Sequence, residues 1–398
     1  MKYIVKKGDT LYKIANRFGL TVNGLFVANP MLERDAYIYP GQVIIIPDTY
    51  VMEYSIQRGD TLFSIAEKFD LRLDHLIRAN PQIVNSNQIN VGQIIYIPKS
   101  RSYDIVQTNQ EYSYDDLVSN IETLKQKYPF LHTEIIGSSV MGKSIYAIRL
   151  GTGEKEVFYS GDWHANEYLT APLLMKFVED YVKAYVHKRT IRGYDIQYLY
   201  NHTSIWIVPM VNPDGVELVV EGITPSHPFY QSVLKINSGS KDFRGWTANI
   251  RGVDLNHQWP ADWEEENARS PQVSSPRKYG GPRPLSEPEA IAVYEFTRKH
   301  NFRMVIAFHS QGQEIYWGFK GLEPSESERI VNRFAVLTGY TPESTAYSAA
   351  GYKDWFIQEY SRPGFTVEVG LGINPLPVSQ FPKIYRENLS LLLEAPLL

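Results

Sequence analysis

The chain has 398 residues and no cysteine. That excludes a disulfide scaffold and any thiolate-bound metal, so a metal site would have to be built from His, Asp and Glu. No apolar run approaches the length of a membrane span. The N-terminal MKYIVKKGDTLYKIA lacks the apolar core and small-residue cleavage site of an ordinary export signal, so synthesis in the cytoplasm is expected. Neither sign of charge dominates: 40 Lys and Arg against 44 Asp and Glu give a net charge of −4. No broad basic surface argues for nucleic acid or anionic lipid as a partner. Low-complexity tracts are also missing, and the 43% hydrophobic content is that of a globular protein long enough for two or three domains.

What is present begins with an internal repeat. YIVKKGDTLYKIANRFGL at 3–20 returns as YSIQRGDTLFSIAEKFDL at 54–71, and the match runs without a gap to GQVIIIP and GQIIYIP. Residues 3–47 laid on 54–98 give 19 identities in 45 positions at a constant offset of 51. Each copy reads as strand, helix, helix, strand. GDT supplies a turn and a helix N-cap. Leu11, Ile14, Ala15 and Phe18, like Leu62, Ile65, Ala66 and Phe69, follow at helical spacing. A second short helix ends at Asn-Pro, and the β-branched runs IIIP and IIYIP close each copy as strands.

GDTLxxIAxxF, followed by L..AN and GQ.I.IP, resembles the LysM module in both copies. The resemblance implies binding of N-acetylglucosamine-containing glycan, such as peptidoglycan, in a shallow groove. Its residues would be Gly8, Asp9, Thr10, Leu11, Asn29, Pro30 and Met31 in one copy. In the other they would be Gly59, Asp60, Thr61, Leu62, Asn80, Pro81 and Gln82. The competing reading is that GDT and Asn-Pro are capping and turn residues that hold the fold. Modules at 1–49 and 50–100 and a polar linker at 101–111 are expected, with one larger domain over 112–398.

In that remainder strands and long helices alternate, a pattern that predicts an α/β domain with a mixed sheet covered on both faces. VFYSGDWHANEYLTAPLLMKF at 157–177 sets His164 and Glu167 three residues apart, between an apolar strand and an amphipathic helix. Catalytic zinc takes three protein ligands and keeps an open position. Of the nine histidines, only His309 ends a run that reads as a buried strand (RMVIAFHS). By spacing alone these three residues are equally a zinc site or a hydrogen-bonded group in a polar core.

NPDG (212–215), GVDLNHQW (252–259), YSAAGYKDW (347–355) and FTVEVG (365–370) join HANE and FHS in an order that resembles the zinc carboxypeptidase family over roughly residues 110–398. The resemblance implies an α/β/α sandwich on an eight-stranded mixed sheet, with one zinc ion held by His164, Glu167 and His309. Glu368 would take the proton of the attacking water and deliver it to the leaving amine, and Tyr347 would be the mobile tyrosine over the substrate.

Two departures stand out. Members of that family read Asn-Arg where this chain has Asn256-His257, and a neutral imidazole cannot make the bidentate clamp by which an arginine grips a terminal carboxylate. A cation usually follows the tryptophan that corresponds to Trp246; here it is Thr247, with Arg244 and Arg251 as neighbouring substitutes. Asn256, His257, Arg251 and Arg244 are therefore the candidate substrate contacts, and Glu314 is a further one by its place near these motifs. LNHQWPADWEE, PLSEPEA (284–290) and GINPLP (372–377) are similar to a narrower bacterial branch, the γ-D-glutamyl-meso-diaminopimelate peptidase I type. That likeness implies cleavage of a peptidoglycan stem peptide, with action at the cell wall or at spore peptidoglycan of a sporulating cell. A glycan-binding protein with an inactive peptidase domain and a conventional zinc carboxypeptidase are the competing readings. The first has all three ligands and Glu368 against it, the second His257 and the LysM pair.

Overall fold

The computed structural model describes residues 104–344 and 349–398. Within the first hundred residues it describes 2–5, 9–17, 22, 25, 29, 32, 37–46, 49–68, 73–78, 80, 83 and 89–100. The chain divides into two compact units, Met1–Tyr103 and Asp104–Leu398.

In the first unit each repeat pairs its own strands. β1 (Lys2–Ile4) runs antiparallel to β2 (Val43–Ile45) beside α1 (Leu11–Arg17). β3 (Thr49–Ser55) runs antiparallel to β4 (Ile94–Ser100), with α2 (Leu62–Lys68) and α3 (Leu73–Arg78) between them in the chain. The repeated apolar positions bury into two small cores, one around Ile14, Leu25 and Ile44 and the other around Ile65, Leu76 and Ile95.

Asn29 and Asn80, expected in the glycan groove, are buried and serve the fold instead. The Asn29 amide donates to the carbonyls of Leu25 (2.8 Å) and Ile45 (2.7 Å) and accepts from Ile45 N (2.6 Å). Asn80 does the same with Leu76 and Tyr96. An unpaired amide would be costly at these positions, so the hydrogen-bonding capacity of both side chains goes to joining helix to strand. Leu62 is in the core and Leu11 packs against its own. Asp9 and Asp60 accept from the Tyr3 and Tyr54 hydroxyls (2.6 and 2.7 Å). Thr10 and Thr61 accept the capping N–H of Lys13 and Ser64. Of the expected groove residues, Thr10, Gly59 and Thr61 are exposed. Gly8, Pro30, Met31, Pro81 and Gln82 lie outside the described residues.

The second unit opens before the predicted boundary. Residues 104–111, expected as linker, pack on it: Ile105 N and Val106 N donate to the buried Glu179 carboxylate (2.6 and 3.2 Å), and Val106 enters the core. Glu179 also pairs with Lys176 and Lys183, so the strap and two lysines together compensate one buried charge.

Seventeen-residue α5 (Thr170–Val186) follows α4 (Tyr114–Lys127), β5 (His132–Ser138), β6 (Ser144–Leu150) and β7 (Lys155–Ser160). Then come β8 (Thr203–Val208), α6 (Pro288–Lys299), β9 (Met304–His309), β10 (Glu314–Tyr316) and α7 (Glu326–Thr338). The rest is β11 (Thr341–Glu343), α8 (Tyr352–Tyr360), β12 (Gly364–Glu368) and α9 (Phe381–Glu394).

The eight strands form one mixed sheet in the order β11-β10-β12-β9-β7-β8-β6-β5. Its middle four, β12, β9, β7 and β8, are parallel. Alternation along these strands feeds two cores. Val157, Tyr159, Ile306 and Phe308 pack with α4, α5, α7 and α9, while Phe158, Val305 and Ala307 pack with α6 and α8. A sheet buried on both faces explains why these strands read as continuous apolar runs. The α/β/α sandwich expected from the sequence is what forms. No helix among the described residues is long and apolar enough to cross a membrane.

Candidate active site

Parallel register brings the carboxyl ends of β7, β9 and β12 to one edge of the sheet, where open α/β sheets place their sites. His309 and Glu368 are direct register partners at the last positions of β9 and β12. The loop after β7 supplies the rest. Asp162 turns it with a left-handed backbone (φ 48°) and accepts from Thr170 Oγ1 (2.6 Å) and Ala171 N (3.1 Å), tying the turn to the start of α5. Trp163 is buried against Trp259 and Tyr352. A tight turn then closes with Glu167 N donating to the His164 carbonyl (3.1 Å).

The two imidazoles meet on one carboxylate. His164 Nδ1 lies 2.8 Å from Glu167 Oε1, and His309 Nδ1 lies 2.9 Å from Glu167 Oε2. One ligand atom from each of the three residues falls within 4.8 Å of the others. His164 Nε2 is taken by Asp254 Oδ1 at 3.1 Å, which leaves Nδ1, on the side of Glu167, as the nitrogen that could coordinate a metal. Asp254 is itself fixed, accepting from Asn256 N and Lys278 N (both 3.1 Å). A carboxylate behind a ligating histidine sets its tautomer and ring orientation. Asn374 reaches Glu167 Oε1 at 3.5 Å and donates to the Ser310 carbonyl.

Electrostatics argue for a bound cation. Glu167, Asp254 and Glu368 face two histidines, and among the described residues no Lys or Arg forms an ion pair with any of the three. Burial alone would raise the Glu167 pKa; the flanking His164 and His309 outweigh it and bring the carboxyl down to about 2. Burial would lower His164, but Glu167 and Asp254 hold it well above its ordinary range. Glu368 is pushed well above the usual carboxylate range by burial and by the Glu167 charge. His309 is pushed down by burial, against the pull of Glu167. Two imidazole nitrogens and a carboxylate fit zinc, which needs no further charge from the protein.

Beyond this group opens a cavity of about 890 Å³ whose walls include Glu368, Tyr316, Thr247, Asn256 and His257. The Glu368 carboxylate makes no hydrogen bond to the described residues and faces this space. Asn256 Oδ1 accepts from Tyr352 N (3.2 Å) at the start of α8, and His257 Nδ1 sits 3.3 Å from the Lys278 carbonyl. Arg244 and Arg251, expected as substitutes for the missing cation, do not line the cavity. Arg244 pairs with Glu111 (3.2 Å) and Arg251 with Glu287 (3.4 Å). Glu314 does not line it either; it accepts from the Tyr316 hydroxyl at 2.7 Å. Tyr347 lies outside the described residues.

The family model described as zinc carboxypeptidase (peptidase M14) matches residues 117–390, and the LysM domain model matches 3–47 and 54–98. The chain belongs to the zinc carboxypeptidase family. This zinc carboxypeptidase is 44% identical to the Gamma-D-glutamyl-L-diamino acid endopeptidase 1 of Lysinibacillus sphaericus, over 86% of this chain and 99% of that protein. It is 40% identical to protein YqgT of Bacillus subtilis, over 72% of this chain and 78% of that one. Among solved structures, thrombin activatable fibrinolysis inhibitor shares the fold with a TM-score of 0.59 at 18% identity, over 79% of this chain and 90% of that one. The enzyme is thus a zinc metallopeptidase by family, with an N-terminal LysM pair.

Sequence reasoning missed Asp254, Arg277, Lys278, Lys353 and Asn374. Only Asp254 left a signal: an acid between Val253 and Leu255 would be buried without a partner unless it met one. Asp254→Ala should therefore weaken zinc binding by about 10- to 100-fold. Competition titration against a chromophoric chelator checks this, and an unchanged affinity would remove Asp254 from the site.

Proposed function

We propose that this chain hydrolyses the γ-D-glutamyl–diamino acid bond of peptidoglycan stem peptides, with diaminopimelate as the diamino acid. The observation that carries this reading is the 44% identity across 99% of the γ-D-glutamyl-L-diamino acid endopeptidase. His257 supports it: an imidazole on the cavity wall, hydrogen-bonding a backbone carbonyl, is no clamp for the free end of a protein chain.

His164, Glu167 and His309 would hold zinc, which supplies Lewis acidity to the scissile carbonyl and the attacking water. Glu368 takes the proton of that water on its carboxylate oxygen and returns it to the leaving nitrogen. Asp254 would keep the His164 ring in place through Nε2.

The LysM pair would hold wall glycan and so raise the effective concentration of stem peptide at the peptidase domain. Its place of action in this reading is the cell wall or spore peptidoglycan, reached after synthesis in the cytoplasm. The test is digestion of diaminopimelate-type sacculi with and without a zinc chelator, followed by mass analysis of the released peptides. Peptides beginning at diaminopimelate, absent with chelator, are the expected products. Release of terminal D-alanine alone would overturn the bond assignment, and no release at all would favour a binding-only protein.

A further inference from the structure

Apart from Glu167, Asp254 and Glu368 of the centre itself, the charges on the cavity wall do not cancel. Lys353 is buried there with its ammonium on Asp354 and on the Gly318 carbonyl, and Glu266 is held by Arg269. Those two pairs are internally neutral. Arg277 and Lys278 also line the cavity, and among the described residues no carboxylate pairs with either. They lie on neighbouring positions of one segment.

That segment is rigidly built into the site. The Pro276 carbonyl accepts from Thr247 N (2.9 Å), Ala248 N (3.1 Å) and Thr247 Oγ1 (3.2 Å). Asp254 N donates to the Tyr279 carbonyl (2.7 Å), and Lys278 N donates to Asp254 Oδ2 (3.1 Å). The Gly280 carbonyl accepts from the Trp263 indole (3.1 Å). Lys278 has a left-handed backbone (φ 64°), a conformation that residues with side chains adopt only at a cost and that these bonds maintain. Only two hydrogen bonds, through Asp254, separate the Lys278 backbone from the metal ligand His164. Two cations with no carboxylate partner among the described residues, on a loop whose backbone is fixed beside the reacting centre, offer an anion site.

We propose that Arg277 and Lys278 bind a substrate carboxylate next to the scissile amide. The proposal rests on the γ-D-glutamyl reading. A glutamate linked through its γ-carbonyl keeps a free α-carboxylate close to the bond that is cut, and diaminopimelate carries a second carboxylate on the leaving side. The two sources share one chemistry. The pair thus gives the enzyme a carboxylate contact that neither Asn256 nor His257 provides.

Three soluble peptides separate the possibilities: L-Ala-γ-D-Glu-diaminopimelyl-D-Ala, its analogue with the glutamyl α-carboxyl amidated, and its analogue with lysine in place of diaminopimelate. Wild-type enzyme is expected to prefer the first over at least one of the others. In the Arg277→Ala, Lys278→Ala double variant that preference, as a ratio of kcat/KM values, should shrink by about 10- to 100-fold, chiefly through KM. The comparison in which it shrinks identifies the carboxylate. Arg277→Lys with Lys278→Arg should keep most of the preference. An equal loss on all three peptides, no change, or no preference in the wild type would overturn the proposal while leaving the γ-D-glutamyl assignment intact. Failure of the wild type to cut any of the three would overturn both.

Discussion

Glu368→Gln is expected to lower kcat on a γ-D-glutamyl peptide by about 10²- to 10⁴-fold, the usual worth of a positioned general base and acid. Gln fills the same volume at the end of β12 and leaves the neighbouring His309 in register, so fold and zinc content should be unchanged. What disappears is the ability to accept and return a proton. Glu368 is suited to this because its carboxylate faces the cavity without a hydrogen-bond partner among the described residues. The measurement is steady-state turnover at matched zinc occupancy. A variant that retains more than about a tenth of wild-type kcat would mean that the proton passes elsewhere.

His309→Ala should have a still larger effect, because it removes one of the three candidate ligand residues and leaves Glu167 with His164 and Asn374. Zinc should fall from one per chain to near zero after dialysis, read by elemental analysis, and cleavage should fall to background. The same substitution tests linkage. A ligand that binds only the folded state stabilises it by about 2.7 kcal/mol at a hundredfold excess over its Kd. Added zinc should therefore raise the Tm of the wild type and leave that of the variant unmoved. A variant that keeps stoichiometric zinc and full turnover would show that the ion sits elsewhere.

Much of this centre was legible in the residues because its geometry is local or follows from strand register. His164 and Glu167 lie in one tight turn, and the apolar runs that mark β9 and β12 end at His309 and Glu368. Once those strands are parallel neighbours, their last residues meet without further information. The glycan-groove expectation fared differently. The repeat located both modules, yet Asn29 and Asn80 carry the same sequence signal whether they face a ligand or a strand. Only the paired backbone of Ile45 and Tyr96 shows that their amides are already spent.

The cations illustrate the same limit at the active site. Arg244, Arg251, Arg277 and Lys278 all sit in irregular segments where no periodicity reveals direction. Their fates depend on carboxylates far away in the chain: Glu111 draws off Arg244 and Glu287 draws off Arg251. Sequence alone determined the two modules and the alternation of buried strands and helices, because repeats and apolar runs are written locally, while the candidate ligand set came from the family resemblance of its motifs. The tertiary structure decided the Asp254 support, the packing of residues 104–111 and which cations face the cavity. Each of those depends on long-range pairing between charged groups, and a charge in a loop carries no mark of its partner until the chain has folded.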